Sequence, residues 1–265
     1  MPPSHKTYQM QDLGLIDYQL CEEADSAPLG LTIPIRKPIP SRTGYIACIG
    51  AAQTFGRFVE RPFGHQLGQR LDLEVGLFAK GGTGPEYWLN KQPKMVARLA
   101  DASVTIVQVM SARSASSSFV KNPEWVNATK EIVGQMVANK QHAELQRYID
   151  ESQTNYVANM VRLLDAIPGK KVLFWFSQRT SDWSPEFKSL DKVWGEFPHM
   201  VSREMIDSLI PHASAYVECI NGDGLPAPLG IDAKGRVRVN KYYPSQEMHD
   251  AATAALEPVI RGLLS

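Results

Sequence analysis

Cysteine is scarce in this chain. The 265 residues hold three, Cys21, Cys48 and Cys219. They lie far apart, with no CxxC pair and no Cys/His spacing, which excludes a disulfide framework or a zinc site. Cys48 and Cys219 stand inside apolar runs, where cysteine behaves as a small hydrophobe. The expectation is buried, reduced thiols in a cytoplasmic protein. Net charge is also absent, with 28 Lys+Arg against 28 Asp+Glu. No block of like charge stands out, so nothing steers the chain toward nucleic acid or an anionic membrane surface. No run approaches the ~20 apolar residues that a membrane span needs. The opening "MPPSHKTYQMQDLGL" lacks a charged stretch followed by an apolar one, so no classical signal peptide is expected.

What the chain does have is an apolar fraction of 43%, enough for a substantial core. Residues 1–43 read as an extended arm, because "APLGLTIPIRKPIPSRTG" carries four prolines. From residue 44 onward, short apolar runs alternate with helix-like segments. The runs are "YIACIG", "LEVGLFA", "SVTIVQVM", "KKVLFWFS" and "SAYVECI". Strands apolar on both faces imply a parallel sheet covered on both sides. The expected fold is therefore a three-layer α/β/α domain over residues 44–265, with a mainly parallel five-stranded sheet. A helical insertion at about 120–168 separates strands three and four. The tail closes as an amphipathic helix with Met248, Ala252, Leu256, Val259 and Leu263 at helical spacing. Pro258 predicts a kink or irregular last turns there.

Ligands of such sheets bind outside the carboxyl ends of the strands, so the loops that follow the strands carry the chemistry. The first, "GAAQTFGR", has five residues between Gly50 and Gly56 and no Lys-Ser/Thr after them. It misses the phosphate-loop pattern, and its glycines suit a tight strand-to-helix turn. That leaves Gln53 and Thr54 as polar groups to explain. The second, "AKGGTGPEYW", groups Gly81, Gly82 and Thr83 in a turn whose N–H groups suit an anion or oxyanion. A plain glycine turn is the alternative. Tyr87 and Trp88 either line a sugar surface or start a buried helix.

The third loop, "MSARSASSSF", sets Arg113 among Ser111, Ser114 and further serines, a pattern suited to a carboxylate, sulfate or phosphate group. The fourth, "SQRTSDWS", offers Gln178, Arg179, Asp182 and Trp183. The fifth, "NGDGLPAPLGIDAKG", reads as a long rim or lid. In "VNKYYPSQEMH", Ser245 is an N-cap candidate and Pro244 fixes the turn before it.

Taken in order, these loops and the tail resemble the SGNH (GDSL-type) hydrolase superfamily. The run "IGAAQTFGRFVERPF", the glycine loop, the "VQVM" strand and the aromatic–Pro tail also resemble a bacterial family of unknown function typical of alphaproteobacteria. The resemblance covers roughly residues 10 to 120 and 240 to 263 and implies an SGNH/flavodoxin-like fold. It also implies a lost triad. Gly50, Thr54 and Gly56 match the first block, Gly-Asp-Ser-Leu-Thr/Ser-x-Gly, but Ala51 replaces its aspartate and Ala52 its nucleophilic serine. Gly81 or Gly82 matches the oxyanion glycine. No asparagine follows the third strand. In the last block, Asn240 stands for the aspartate and Tyr243 for the histidine. His249 survives on the tail helix as a structural residue. A serine esterase needs a nucleophile, a base and an orienting group, and tyrosine, with a pKa near ~10, is a poor base at neutral pH.

The chain is therefore expected to be either a transferase or modifier of a sugar, polysaccharide or acyl-type substrate, or a non-catalytic glycan- or partner-binding protein on the same scaffold. A nucleotide-dependent transferase using "GAAQTFGR" is a further alternative. The candidate catalytic residues are Thr54, Arg113 and Tyr243. The candidate ligand residues are Gln53, Arg57, Gly81, Gly82, Thr83, Ser111 and Ser114. No metal site and no cofactor follow from the sequence.

Overall fold

The computed structural model describes residue 12 and residues 15–22, 27–123, 126–231 and 236–265. Strands β1 (Tyr45–Gly50), β2 (Val75–Ala79), β3 (Ala102–Gln108), β4 (Lys170–Ser177) and β5 (Ala215–Ile220) form one sheet in the order β2-β1-β3-β4-β5. Every pairing is parallel. The chain runs outward from β1 to β2 and then crosses to the other side of β1 for β3. The strand order thus reverses between β1 and β3, the place where such sheets open a crevice.

Side chains alternate between two cores. Ile46, Cys48, Leu77, Ile106, Val172 and Phe174 share one with helices α2 (Phe63–Leu71) and α9 (Gln246–Leu264). Gly64 allows α2 to approach closely, since a Cβ there would meet Leu77 Cδ2 at 2.5 Å. Ala47, Ile49, Val107, Leu173 and Trp175 face the other core. That core is built with α3 (Pro85–Lys91), α4 (Pro93–Arg98), α6 (His142–Ala166) and α8 (Arg203–Leu209). The helical stretch between β3 and β4 comprises α5 (Val126–Ala138) and α6, and α6 is a layer of the domain, burying Tyr148, Tyr156, Met160 and Leu163.

The described part of the arm is held down rather than free. Leu29, Leu31, Ile33 and Ile35 enter the same core as Trp88 and Met95, and each such side chain contributes about 1.5–3 kcal/mol when fully buried. Gln92 ties the arm to the start of α4, accepting from Thr32 N at 3.1 Å and donating to Thr32 Oγ1 at 2.8 Å.

Helix α9 continues through Pro258 to Leu264. Pro258 removes the N–H that Ala254 O would receive, and both residues are exposed, so that carbonyl is open to solvent. The long fifth loop contains an antiparallel hairpin, β6 (Ala227–Ile231) with β7 (Val237–Asn240). It escapes sequence reading because Pro228 and Gly230 interrupt β6 and because the alternating run of β7 is only four residues long. The three cysteines are free and buried. Among the described residues no helix is long and apolar enough to cross a membrane.

Candidate functional site

The exit of β1 is the centre of the carboxyl edge. A short helix α1 (Ala52–Phe55) begins there with no side-chain cap of its own. Two N–H groups at its start, those of Ala51 and Thr54, are satisfied by Gln108 from the neighbouring strand β3. Gln108 Oε1 accepts from Ala51 N at 2.9 Å, Thr54 N at 3.3 Å and Thr54 Oγ1 at 2.6 Å. Its amide donates to Gln53 Oε1 at 3.4 Å. Gly50 makes room for this contact: a Cβ there would lie 2.3 Å from Thr54 Oγ1 and 2.4 Å from Gln108 Oε1. The crevice at the strand-order reversal is thus filled by a side chain of the protein. Sequence reasoning missed Gln108, although an amide inside the apolar run "SVTIVQVM" was the available signal.

Thr54 consequently has a glutamine for its hydroxyl partner, not a base. Thr54 and Gln53 are both buried. The β2 exit joins the same knot. Lys80 N donates to Gly50 O at 3.3 Å, and Thr83 Oγ1 donates to Lys80 O at 2.7 Å and reaches Gly50 O at 3.5 Å. Gly82 adopts a left-handed φ of +82°, which glycine alone takes without strain. Gly81 beside it is buried. Trp88 is buried in the core that Ala47, Ile49 and Trp175 face, and Tyr87 receives a hydrogen bond from Gln92. The β3 exit touches the β2 exit where Gly84 meets Ser114. Ser111 Oγ accepts from His199 N at 3.0 Å. The serines beyond are pinned by acids, Ser116 on Glu86 and Ser118 on Glu151.

Arg57, just past α1, makes a bidentate pair with Asp12 at 2.5 and 2.9 Å. Burial pushes the Asp12 carboxyl up to about 6, so it is ionised at neutral pH. Arg57 Nη1 also donates to the Tyr243 hydroxyl at 2.7 Å. Burial pushes that hydroxyl up to about 12, so it stays protonated and does not act as a base near neutrality. Asn240 does not orient the Tyr243 hydroxyl. It accepts from Tyr242 N and Tyr243 N and donates to Tyr243 O, which closes a turn. Ser245 caps α9 by accepting from Met248 N.

His249 is buried between Phe63 and Phe176 and accepts from Phe63 N at 3.1 Å, tying α9 to α2. Burial drives its imidazole down to about 3, so it is neutral. The β4 exit is a structural clamp: Arg179 donates to the carbonyls of Thr180, Glu196, Pro198 and Val201. Among the described residues no group of three or more His, Cys, Asp or Glu is placed to hold a metal ion.

The structure thus gathers Gln53, Thr54, Arg57, Thr83, Ser111, Ser114 and Tyr243 on adjoining loops at one edge of the sheet, most of them buried; only Arg57 and Tyr243 bond each other, and the others bond neighbouring groups such as Gln108, Lys80 O and His199 N. Arg113 sits on the same loop as Ser111 but turns toward α6 and α7 (Leu190–Trp194), where its guanidinium lies 5.3 Å over the Trp194 ring. These features define a parallel three-layer α/β domain with a side-chain-filled crevice at its strand-order reversal. The chain belongs to the family described as Domain of unknown function (DUF6473), which it matches over residues 7–128 and 126–264. No curated protein matches it.

Proposed function

We propose that this chain is a non-catalytic binding protein on an SGNH-like scaffold, with an anionic glycan as its ligand. One observation carries the reading. The hairpin β6–β7 and the turn after it expose a tyrosine beside basic residues. Tyr242 is 79% exposed, and its chain neighbour Lys241 and the hairpin residues Arg238 and Val239 are exposed as well. An exposed aromatic ring supplies a rigid amphipathic platform at small entropic cost, and the cations beside it suit carboxylate or sulfate groups. The edge below supports binding over catalysis, because Thr54 is bonded to Gln108 and Tyr243 is held protonated by burial.

The transferase reading has one observation in its favour. The Arg57–Tyr243 pair is partly exposed at the carboxyl edge, where a donor's anionic group would meet it.

Tyr242→Ala is expected to weaken binding of an acidic polysaccharide at least tenfold, as read by calorimetry, and to leave the melting temperature within about 1 °C, since exposed substitutions usually change stability by less than ~0.5 kcal/mol. Undiminished affinity would remove the hairpin from the reading. A melting-temperature rise with acyl-CoAs, nucleotide sugars or adenylyl sulfates, but not with glycans, would favour the transferase.

Hydrolysis of short-chain p-nitrophenyl esters is expected to stay at background, because Ala52 offers no nucleophile. Turnover at neutral pH that a serine-directed phosphonate abolishes would overturn the lost-triad reading.

A further inference from the structure

The five-stranded sheet has two outer strands, and they differ. All five residues of β2 are buried. In β5, Ala215 and Tyr216 are half-buried, and Glu218 and Ile220 are exposed. Ile220 is 42% exposed, although it stands in a strand of the main sheet. The ladder of β5 runs to β4 alone, over six residues and without a register shift. The hairpin β6–β7 is a sheet of its own and adds no strand to it.

Asn221 N, just past β5, donates to Ser177 O at 3.0 Å. Successive residues of a strand turn their backbone N–H and C=O groups to opposite sides. Those of Tyr216, Glu218 and Ile220 therefore point away from β4, toward the open edge.

Such an edge is a template for a further strand, and folded proteins guard it with charge, proline, a bulge or a cover. The run "AYVECI" holds no proline and no lysine, and its pairing shows no bulge. Its one charge is Glu218. That carboxylate already accepts from the Tyr216 hydroxyl at 2.6 Å and from Arg203 Nη1 at 3.3 Å, so it does little to repel a partner strand.

A second copy of the chain suits this edge. Two β5 strands related by a twofold axis normal to the sheet run antiparallel, and facing residues then share one side of the sheet. An axis through Glu218 sets two carboxylates opposite each other, which is destabilising. An axis through Cys219 sets each carboxylate against Ile220. An axis through Val217 pairs valine with valine and places Tyr216 opposite Glu218 of the second copy, on both sides of the axis. Phenol and carboxylate are complementary, and the outward backbone groups of the same two residues exchange hydrogen bonds.

We propose that β5 is a homodimer interface, at which two copies pair antiparallel about Val217 and join their five-stranded sheets into one. The inference uses no residue of the glycan reading, so the two are tested separately.

Sedimentation equilibrium of the full chain is expected to give twice the chain mass at micromolar concentration. Glu218→Pro removes an outward N–H and leaves the bonds to β4 in place. It should raise the dimer dissociation constant at least tenfold with an unchanged circular dichroism spectrum. A second readout does not depend on the proline variant folding. Facing residues of this pair have Cα atoms about 5.5 Å apart, within reach of a disulfide. Mild oxidation of the double variant Tyr216→Cys, Glu218→Cys should therefore give a covalent dimer on a non-reducing gel, and neither single variant should. A monomer up to submillimolar concentration, an undiminished dimer in folded Glu218→Pro, or no covalent dimer in the double variant would each overturn the proposal.

Discussion

Gln108→Leu is expected to destabilise the protein by about 3–5 kcal/mol, a large share of the ~5–15 kcal/mol that holds a typical domain folded. Gln108 is fully buried, and its Oε1 is the acceptor for Ala51 N, Thr54 N and Thr54 Oγ1. Leucine has nearly the same volume, so no large cavity forms. The cost comes from three buried donors left without an acceptor, each worth about 1–3 kcal/mol. Helix α1 has no other cap, so its first turn should open. Thr54→Val removes one of these bonds and is expected to cost less, about 1–2 kcal/mol. Urea unfolding of the two variants checks both the size and the order of the effects. A loss below 1 kcal/mol for Gln108→Leu would mean that water or a rearranged Gln53 takes over the acceptor role.

Arg36→Ala is expected to lower stability by a similar amount, through a different part of the molecule. Arg36 is 3% exposed. It donates to the carbonyls of Phe55, Gly56 and Val59 from Nη1 and of Glu60 from Nη2, at 2.8 to 3.2 Å. Its guanidinium lies 5.1 Å from the Tyr18 ring centre and 5.6 Å from that of Phe55. Burial pulls it down to about 10, which still leaves it charged at neutral pH. Charge-assisted bonds are worth about 1.5–3 kcal/mol each. Allowing for water reaching the exposed Glu60 side, the expected loss is about 3–5 kcal/mol, or roughly 6–20 °C in melting temperature for a chain of this size. Arg36→Lys should recover little, because an ammonium is a compact point donor without the guanidinium's fork. A melting temperature within 2 °C of wild type would show that the arm does not hold the turn after α1.

Much of the fold was legible in the sequence because its signals are local. "YIACIG" and "KKVLFWFS" are apolar on both faces, and such runs between helix-like segments leave few alternatives to a covered parallel sheet. Gly50 and Gly56 mark the turn after β1, and Ser245 marks the start of α9. The hairpin was not legible, because Pro228 and Gly230 interrupt its first strand and the alternating run of its second, "RVRVN", is only five residues long.

At the carboxyl edge, the residue types and their loops were readable, and their partners were not. The sequence by itself determined a parallel α/β chain, since its apolar runs are local signals. Tertiary structure alone decided that Gln108 fills the crevice, that Arg57 is held by Asp12 and Tyr243, and that Arg113 turns away from the glycine loop toward Trp194. Hydrogen-bond partners 45 to 186 residues apart leave no periodic trace along a chain. They follow from which strands lie side by side, and the order β2-β1-β3-β4-β5 brings the exits of β1 and β3 together.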